Sequence, residues 1–140
     1  MSVVVDGTLG IDTIQNSIVT PAKLNGNQTG SAPIFGVRAW CVFNGTLTGT
    51  NAPIAGGNVT SVTRNAAGDY TINFTTAMPD ANYGVMGSVQ NTASAQFVGS
   101  LTIVNGTAPT ASAVRVGAFG GGGASFVLAD SSLVTVAILR

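Results

Sequence analysis

The side chains that most often perform chemistry are few in this chain: five aspartates, Asp6, Asp12, Asp69, Asp80 and Asp130, and one cysteine, Cys41. There is no Glu and no His. Without His the chain lacks the commonest general base, the commonest metal ligand and the group that titrates near neutrality. Cleaving a glycosidic bond with paired carboxyls needs two acids at a defined separation across that bond. Asp6 and Asp12 fall near the N-terminus, while Asp69, Asp80 and Asp130 occupy positions where a turn residue is expected anyway. No oxygen-ligand run has the spacing of a calcium loop. The consecutive glycines Gly120 to Gly123 invite a phosphate-cradle reading, which needs a strand before, a helix after and usually a lysine. Ala124-Ser125-Phe126 instead reads as the start of another strand, so a wide loop or bulge is expected. No catalytic residue, cofactor-binding residue or metal ligand is therefore expected, no cofactor is required, and the chain is not expected to be an enzyme.

Cys41 sits in the apolar run 39–43 and is expected to pack as a small hydrophobe. Five Asn-X-Thr triplets begin at Asn27, Asn44, Asn58, Asn73 and Asn105; in a chain this rich in Asn and Thr they arise by composition and receive no role. Charge is the unusual quantity. Only 7% of residues are charged, against about 25% in typical domains, while the mean hydropathy is +0.43. A monomer this poor in charge would expose apolar patches, so much of its surface is expected to be interface between copies. Five basic and five acidic residues, thinly spread, offer no patch for a phosphate backbone, so nucleic acid is not an expected partner. No apolar run approaches the roughly 20 residues that span a bilayer, and MSVVVDGTLG lacks the basic start of a secretion signal.

The elements that must position these residues read as strands. In 58–86 the β-branched stretch 59–64 is followed by a loop of hairpin length, 65–69, in which Gly68 can take positive φ. Tyr70, Ile72 and Phe74 then share one face and Thr71, Asn73 and Thr75 the other, a period of two that marks one dry and one wet side. Pro79 turns a corner, and Tyr83 and Val85 start the next strand. Upstream, 34–43 reads as the first strand, with Ala39, Cys41 and Phe43 opposite Trp40, and Trp40 is expected in the core. The segment 44–57 reads as one long loop. Downstream strands are expected at 83–90, 96–104 (Phe97, Leu101 and Ile103 on one face), 113–119, 126–129 and 133–139, with turns at 91–95, 105–110 and 130–132. No segment reads as a helix for more than a turn. Residues 1–32 differ: Leu9, Ile11, Ile14, Ile18 and Leu24 are separated by Gly, Asp, Thr, Asn and Pro, in a spacing that fits neither a helix nor one sustained strand. Short extended pieces of this kind suit a trimerising or docking arm wrapped around two copies of itself. The polar, glycine-containing 25–33 then forms the boundary with a head over 33–140.

The string AW-x-x-FNGT at 39–46, followed by GNVTSVTRNAAGDYTINFTTAMPDANYGV at 57–85, resembles a module in tail fibre proteins of tailed bacteriophages. The resemblance covers roughly residues 7 to 90, and GTLGIDTIQNSIVTPAKL is similar to the short shaft segments of such fibres. It implies an all-β chain: a β-sandwich or jelly-roll-like head behind a short extended arm, in an intertwined homotrimer. Its expected place is the phage particle surface, on tail or capsid. The partners implied are the chain itself, other virion proteins through the arm, and a host surface glycan or protein. Binding would rest on polar loops at one end of the head, with Thr48, Thr50, Asn51, Asn91, Thr92, Asn105 and Thr107 as candidates. The alternative is a trimeric cement or decoration protein that clamps the capsid shell, favoured by the shortness of the segment before the head.

Overall fold

A computed structural model of the chain describes residues 36–90, 100–120 and 127–140, all within one unit, Phe35–Arg140. The candidate arm residues Leu9, Ile11, Ile14, Ile18 and Leu24, and Asn91, Thr92 and Phe97, lie outside the described residues. The described chain is all-β, with ten strands and no helix: β1 (Val37–Phe43), β2 (Gly49–Asn51), β3 (Ala55–Gly57), β4 (Val59–Ala66), β5 (Asp69–Phe74), β6 (Gly84–Val89), β7 (Ser100–Ile103), β8 (Ala113–Gly120), β9 (Val127–Leu128) and β10 (Val134–Leu139).

They form two open sheets, one in the order β3-β1-β10-β6 and the other in the order β2-β4-β5-β8-β7, with β9 added beside β8. Every pairing is antiparallel. The sequence dictates which faces meet. Tyr70, Ile72 and Phe74 on β5 and Val114 and Val116 on β8 are buried, as are Ala39, Cys41 and Phe43 on β1 and Val134, Val136 and Ile138 on β10. These inward faces share one core, where the rings of Phe43 and Tyr70 meet edge to face at a centroid distance of 5.0 Å. Each fully buried Val or Ile contributes about 1.5–3 kcal/mol of transfer free energy. Burial also fixes the chemistry of Cys41: desolvation pushes its thiol up to about 12, so it packs and does not react.

Four expectations change. Trp40 is not core: it is 43% exposed, because the period of two that buries Ala39, Cys41 and Phe43 turns it outward, and its indole lies over Gly57. Residues 44–57 are not one loop, since β2 and β3 pair with the edge strands β4 and β1. The β4–β5 hairpin is tighter than 65–69, closing at Ala67-Gly68 with Gly68 at φ +67°. Tyr83 precedes β6 rather than starting it; its hydroxyl donates to the Thr110 and Ala113 carbonyls.

The two ends of the layered structure are chemically different. At the lower end the chain enters the sheet at Gly36, whose carbonyl accepts from the Arg140 amide. Asn58, at φ 57°, holds this end together. Its Nδ2 donates to the carbonyls of Arg38 and Thr76, and its Oδ1 accepts from the Thr76 amide. Asn tolerates the left-handed region better than other side chains, which suits it to this joint. At the upper end β4 turns into β5, β6 and β8 terminate, and β7 and β10 begin.

Candidate functional site

The upper end is built around a carboxylate. Asp130 precedes β10 and accepts four hydrogen bonds: from Arg64 Nε at 3.0 Å and Nη2 at 2.5 Å, from the Gly68 amide at 2.8 Å and from the Tyr70 hydroxyl at 2.9 Å. Its neighbour Ser131 offers its carbonyl to the Gly45 amide, and the Ser131 hydroxyl is within bonding distance of the Gln90 and Leu133 carbonyls. Gly68 in turn gives its carbonyl to the Ala118 amide. One short segment thereby joins the 44–48 turn, the β4–β5 hairpin, the end of β6 and the end of β8. A second pair, Asp69 with Arg115, lies on the outer face of the larger sheet, where Arg115 Nη1 also donates to Thr107 Oγ1. Arg140 pairs with Asp80 at the lower end. The three described aspartates are thus each ion-paired, and Asp80 is also a turn residue as expected, its Oδ1 accepting from the Asn82 amide at 2.7 Å.

Those pairings set the titration behaviour. The Arg64 guanidinium bonded to Asp130, and the Arg115 guanidinium bonded to Asp69, hold both carboxyls below the ordinary value of 3.8. Burial, and then the bond to Asp130, push the Tyr70 hydroxyl up from its ordinary value of 10.0. Because the unfolded chain binds protons more readily on both carboxyls, their contribution to stability is complete above the unfolded value and is lost as pH falls through the folded values. For Tyr70 the sign reverses, with stability present below pH 10 and lost above it. Melting curves are therefore expected to superimpose between about pH 6 and 8, where no unperturbed side chain of this chain titrates, and to shift to lower temperature below about pH 4. A melting temperature that rose on acidification would contradict these pairings.

Above the hub lies a small cavity of about 30 Å³. Phe43, Val62 and Tyr70 floor it; Asn44, Asn51 and Arg64 give it polar edges; Leu47 and Ile54 stand at its lip, 48% and 66% exposed. That volume admits roughly two water-sized groups. Asn44 fixes the shape of the 44–48 turn, its Oδ1 accepting from the Thr46 amide and hydroxyl.

The candidate loop residues do not gather in one place. Thr48 and Asn51 border the cavity's loop, the Asn51 side chain donating to the Thr48 carbonyl at 2.9 Å. Thr50 faces away on β2, its hydroxyl 2.9 Å from that of Thr63. Asn105 and Thr107 follow β7 and run toward the lower end, where Thr110 closes onto Ala113, so they do not share an end with the 44–48 turn. Among the described candidates, Thr48 and Asn51 therefore lie at a different end from Asn105 and Thr107, while Asn91 and Thr92 fall outside the described residues. Sequence reasoning passed over Leu47, Ile54, Arg64, Tyr70 and Asp130 as site residues. The signal for the first two was present, as isolated aliphatic residues in a segment otherwise of Gly, Thr, Asn, Ala and Pro. Among the described residues no three metal-ligating side chains come together.

Against known proteins, the chain matches no family model, no curated sequence and no solved structure.

Proposed function

We propose that this chain is a virion protein of a tailed bacteriophage: a trimeric tail fibre or fibre-tip protein whose β-sandwich, jelly-roll-like head binds the host surface. The observation that carries the reading is the separation of the ends. The polypeptide enters the sheets at Gly36, while the cavity, the exposed Leu47 and Ile54, and the 44–48 turn stand at the opposite end. A head tethered at one end and offering a braced, partly apolar surface at the other is what attachment by an N-terminal arm requires. The host ligand is a surface glycan or protein, held shallowly. A millimolar site supplies only about −4 kcal/mol, but linked copies raise avidity by roughly 10² to 10⁴ without new contacts.

Purified trimer is expected to compete with intact virions for adsorption to host cells. A capsid cement protein would leave adsorption untouched at saturating protein, and particles lacking it would burst on heating or chelation. That pair of results would replace the fibre reading with the cement one.

A further inference from the structure

Asn followed by Gly is a thermolabile pairing, because glycine has no Cβ to shield its amide nitrogen from the neighbouring carboxamide. Two such pairs lie within the described residues, Asn44-Gly45 and Asn105-Gly106, and the fold treats them oppositely; a third, Asn25-Gly26, lies outside. Gly45 is buried, its amide donating to the Ser131 carbonyl at 2.8 Å and its carbonyl accepting from the Tyr70 hydroxyl at 3.2 Å. A Cβ on Gly45 would lie 2.3 Å from Tyr70 Oη and 2.9 Å from the Ser131 carbonyl oxygen, so this backbone is closely packed. The Asn44 carboxamide is held too, its Oδ1 accepting from the Thr46 amide and hydroxyl. Asn105 and Gly106 are both exposed. Backbone bonding stops at Val104, whose amide donates to the Arg115 carbonyl, and resumes at Thr110, whose amide donates to the Ala113 carbonyl. Between them the Gly106 amide has no acceptor among the described residues, and Gly106 stands at φ +81° with nothing within 4 Å of an added Cβ.

We infer that Asn105 is a self-modification site, losing its side-chain amide spontaneously in the folded protein while Asn44 is protected. The reaction needs only water and a solvent base. Base removes the Gly106 amide proton, and the nitrogen attacks Asn105 Cγ. As the new N–Cγ bond forms, the Cγ–Nδ2 bond breaks, and Nδ2 leaves as ammonia with a proton taken from water. Water then opens the cyclic imide at one of its C–N bonds. One opening gives Asp at position 105; the other gives isoaspartate, in which the main chain runs through the side-chain carboxyl. In sum, an amide and a water become a carboxylate and ammonium, with no change of oxidation state. At Asn44 the same attack requires Gly45 to leave Ser131 and Tyr70, so the 44–48 turn must open first. The chain carries five basic and five acidic residues, so each event turns a balanced chain acidic. The new carboxylate arises two residues from Thr107, whose Oγ1 accepts from Arg115 Nη1 at 3.3 Å. None of this depends on the virion reading above.

The test incubates the full chain in mildly alkaline buffer and reads its peptides by mass spectrometry, with isoaspartate counted by an isoaspartyl methyltransferase. The Asn105 peptide is expected to convert to a mixture of Asp and isoaspartate. Asn44 is expected to react at least about tenfold more slowly, since each event there waits for local opening. In denaturant the two rates should converge. Gly106→Ala, whose added Cβ meets nothing within 4 Å, should slow the reaction at Asn105 severalfold by shielding the nitrogen. An Asn105 peptide that stays intact in the folded chain while the denatured chain reacts would overturn the site. Equal rates at Asn44 and Asn105 in the folded chain would overturn the protection. Asp formed without isoaspartate, at a rate that Gly106→Ala leaves unchanged, would mean direct hydrolysis and overturn the imide route.

Discussion

Replacing Gly68 by Ala is expected to lower the melting temperature by more than 10 °C at fixed protein concentration. Two costs add at this position. Gly68 closes the β4–β5 hairpin at φ +67°, where a Cβ costs about 1–2 kcal/mol. A Cβ there would also lie 2.3 Å from the Ala129 amide nitrogen and 2.7 Å from both the Ala118 oxygen and the Leu128 carbonyl carbon, all backbone atoms. Backbone cannot rotate aside as a side chain can, and overpacking of this sort costs about 1–3 kcal/mol. Together about 3–4 kcal/mol is lost, at roughly 4 °C per kcal/mol for a chain of this size. Gly106 separates the two costs, because it has φ +81° but nothing within 4 Å of an added Cβ. Gly106→Ala should therefore lose only about 4 °C, from conformational strain alone. Equal shifts for the two substitutions would show that β8 and the segment after β9 do not close over the hairpin.

Asp130→Ala is the second large effect, expected to cost about 2 kcal/mol, or roughly 8 °C. Most of this comes from the Gly68 amide, which is left buried without its acceptor. The Tyr70 hydroxyl loses its shorter bond but can donate to the Gly45 carbonyl at 3.2 Å, which limits the damage. The Arg64 pair, about a quarter exposed on both sides, adds little once solvent screening is considered. Asp130→Asn keeps an acceptor of the same shape and should lose about half as much. The 44–48 turn, which hangs on Ser131 and Tyr70, is expected to become susceptible to proteolysis in Asp130→Ala before the sheets do. A variant that melts with the wild type and resists protease equally would remove Asp130 from the centre of this end.

How much of this the amino-acid order reveals depends on which physical rule governs each element. Tyr70, Ile72 and Phe74 were legible as a buried face because one side of β5 is apolar and the other is Thr and Asn, so alternation alone decides. The same holds for Val134, Val136 and Ile138. Trp40 was misjudged on its residue type: Arg38 shares its face of β1 and is exposed with it, a signal in the sequence that this face turns outward. What settled it was the partner, Phe43 packing on Tyr70 from the opposite sheet. The short strands β2 and β3 escaped because, Thr50 apart, they consist of Gly, Asn and Ala, which are depleted in strands; they exist through pairing with β4 and β1. Asp130 is 66 residues from Arg64 and 62 from Gly68. No local pattern couples such distant positions, so the hub and the cavity above it became visible only when the chain folded back on itself.

The most direct test of the functional reading is adsorption competition with a head altered at the upper end alone. Leu47→Asp/Ile54→Asp places two charges at the lip of the cavity, on side chains already exposed to water. The wild-type trimer should inhibit virion adsorption in a dose-dependent way. The double variant, at the same oligomeric mass and melting temperature, should need at least tenfold more protein for the same inhibition, since each shallow site is multiplied across linked copies. Equal inhibition by wild type and variant would contradict binding through this end, and no inhibition by saturating wild type would contradict host attachment itself.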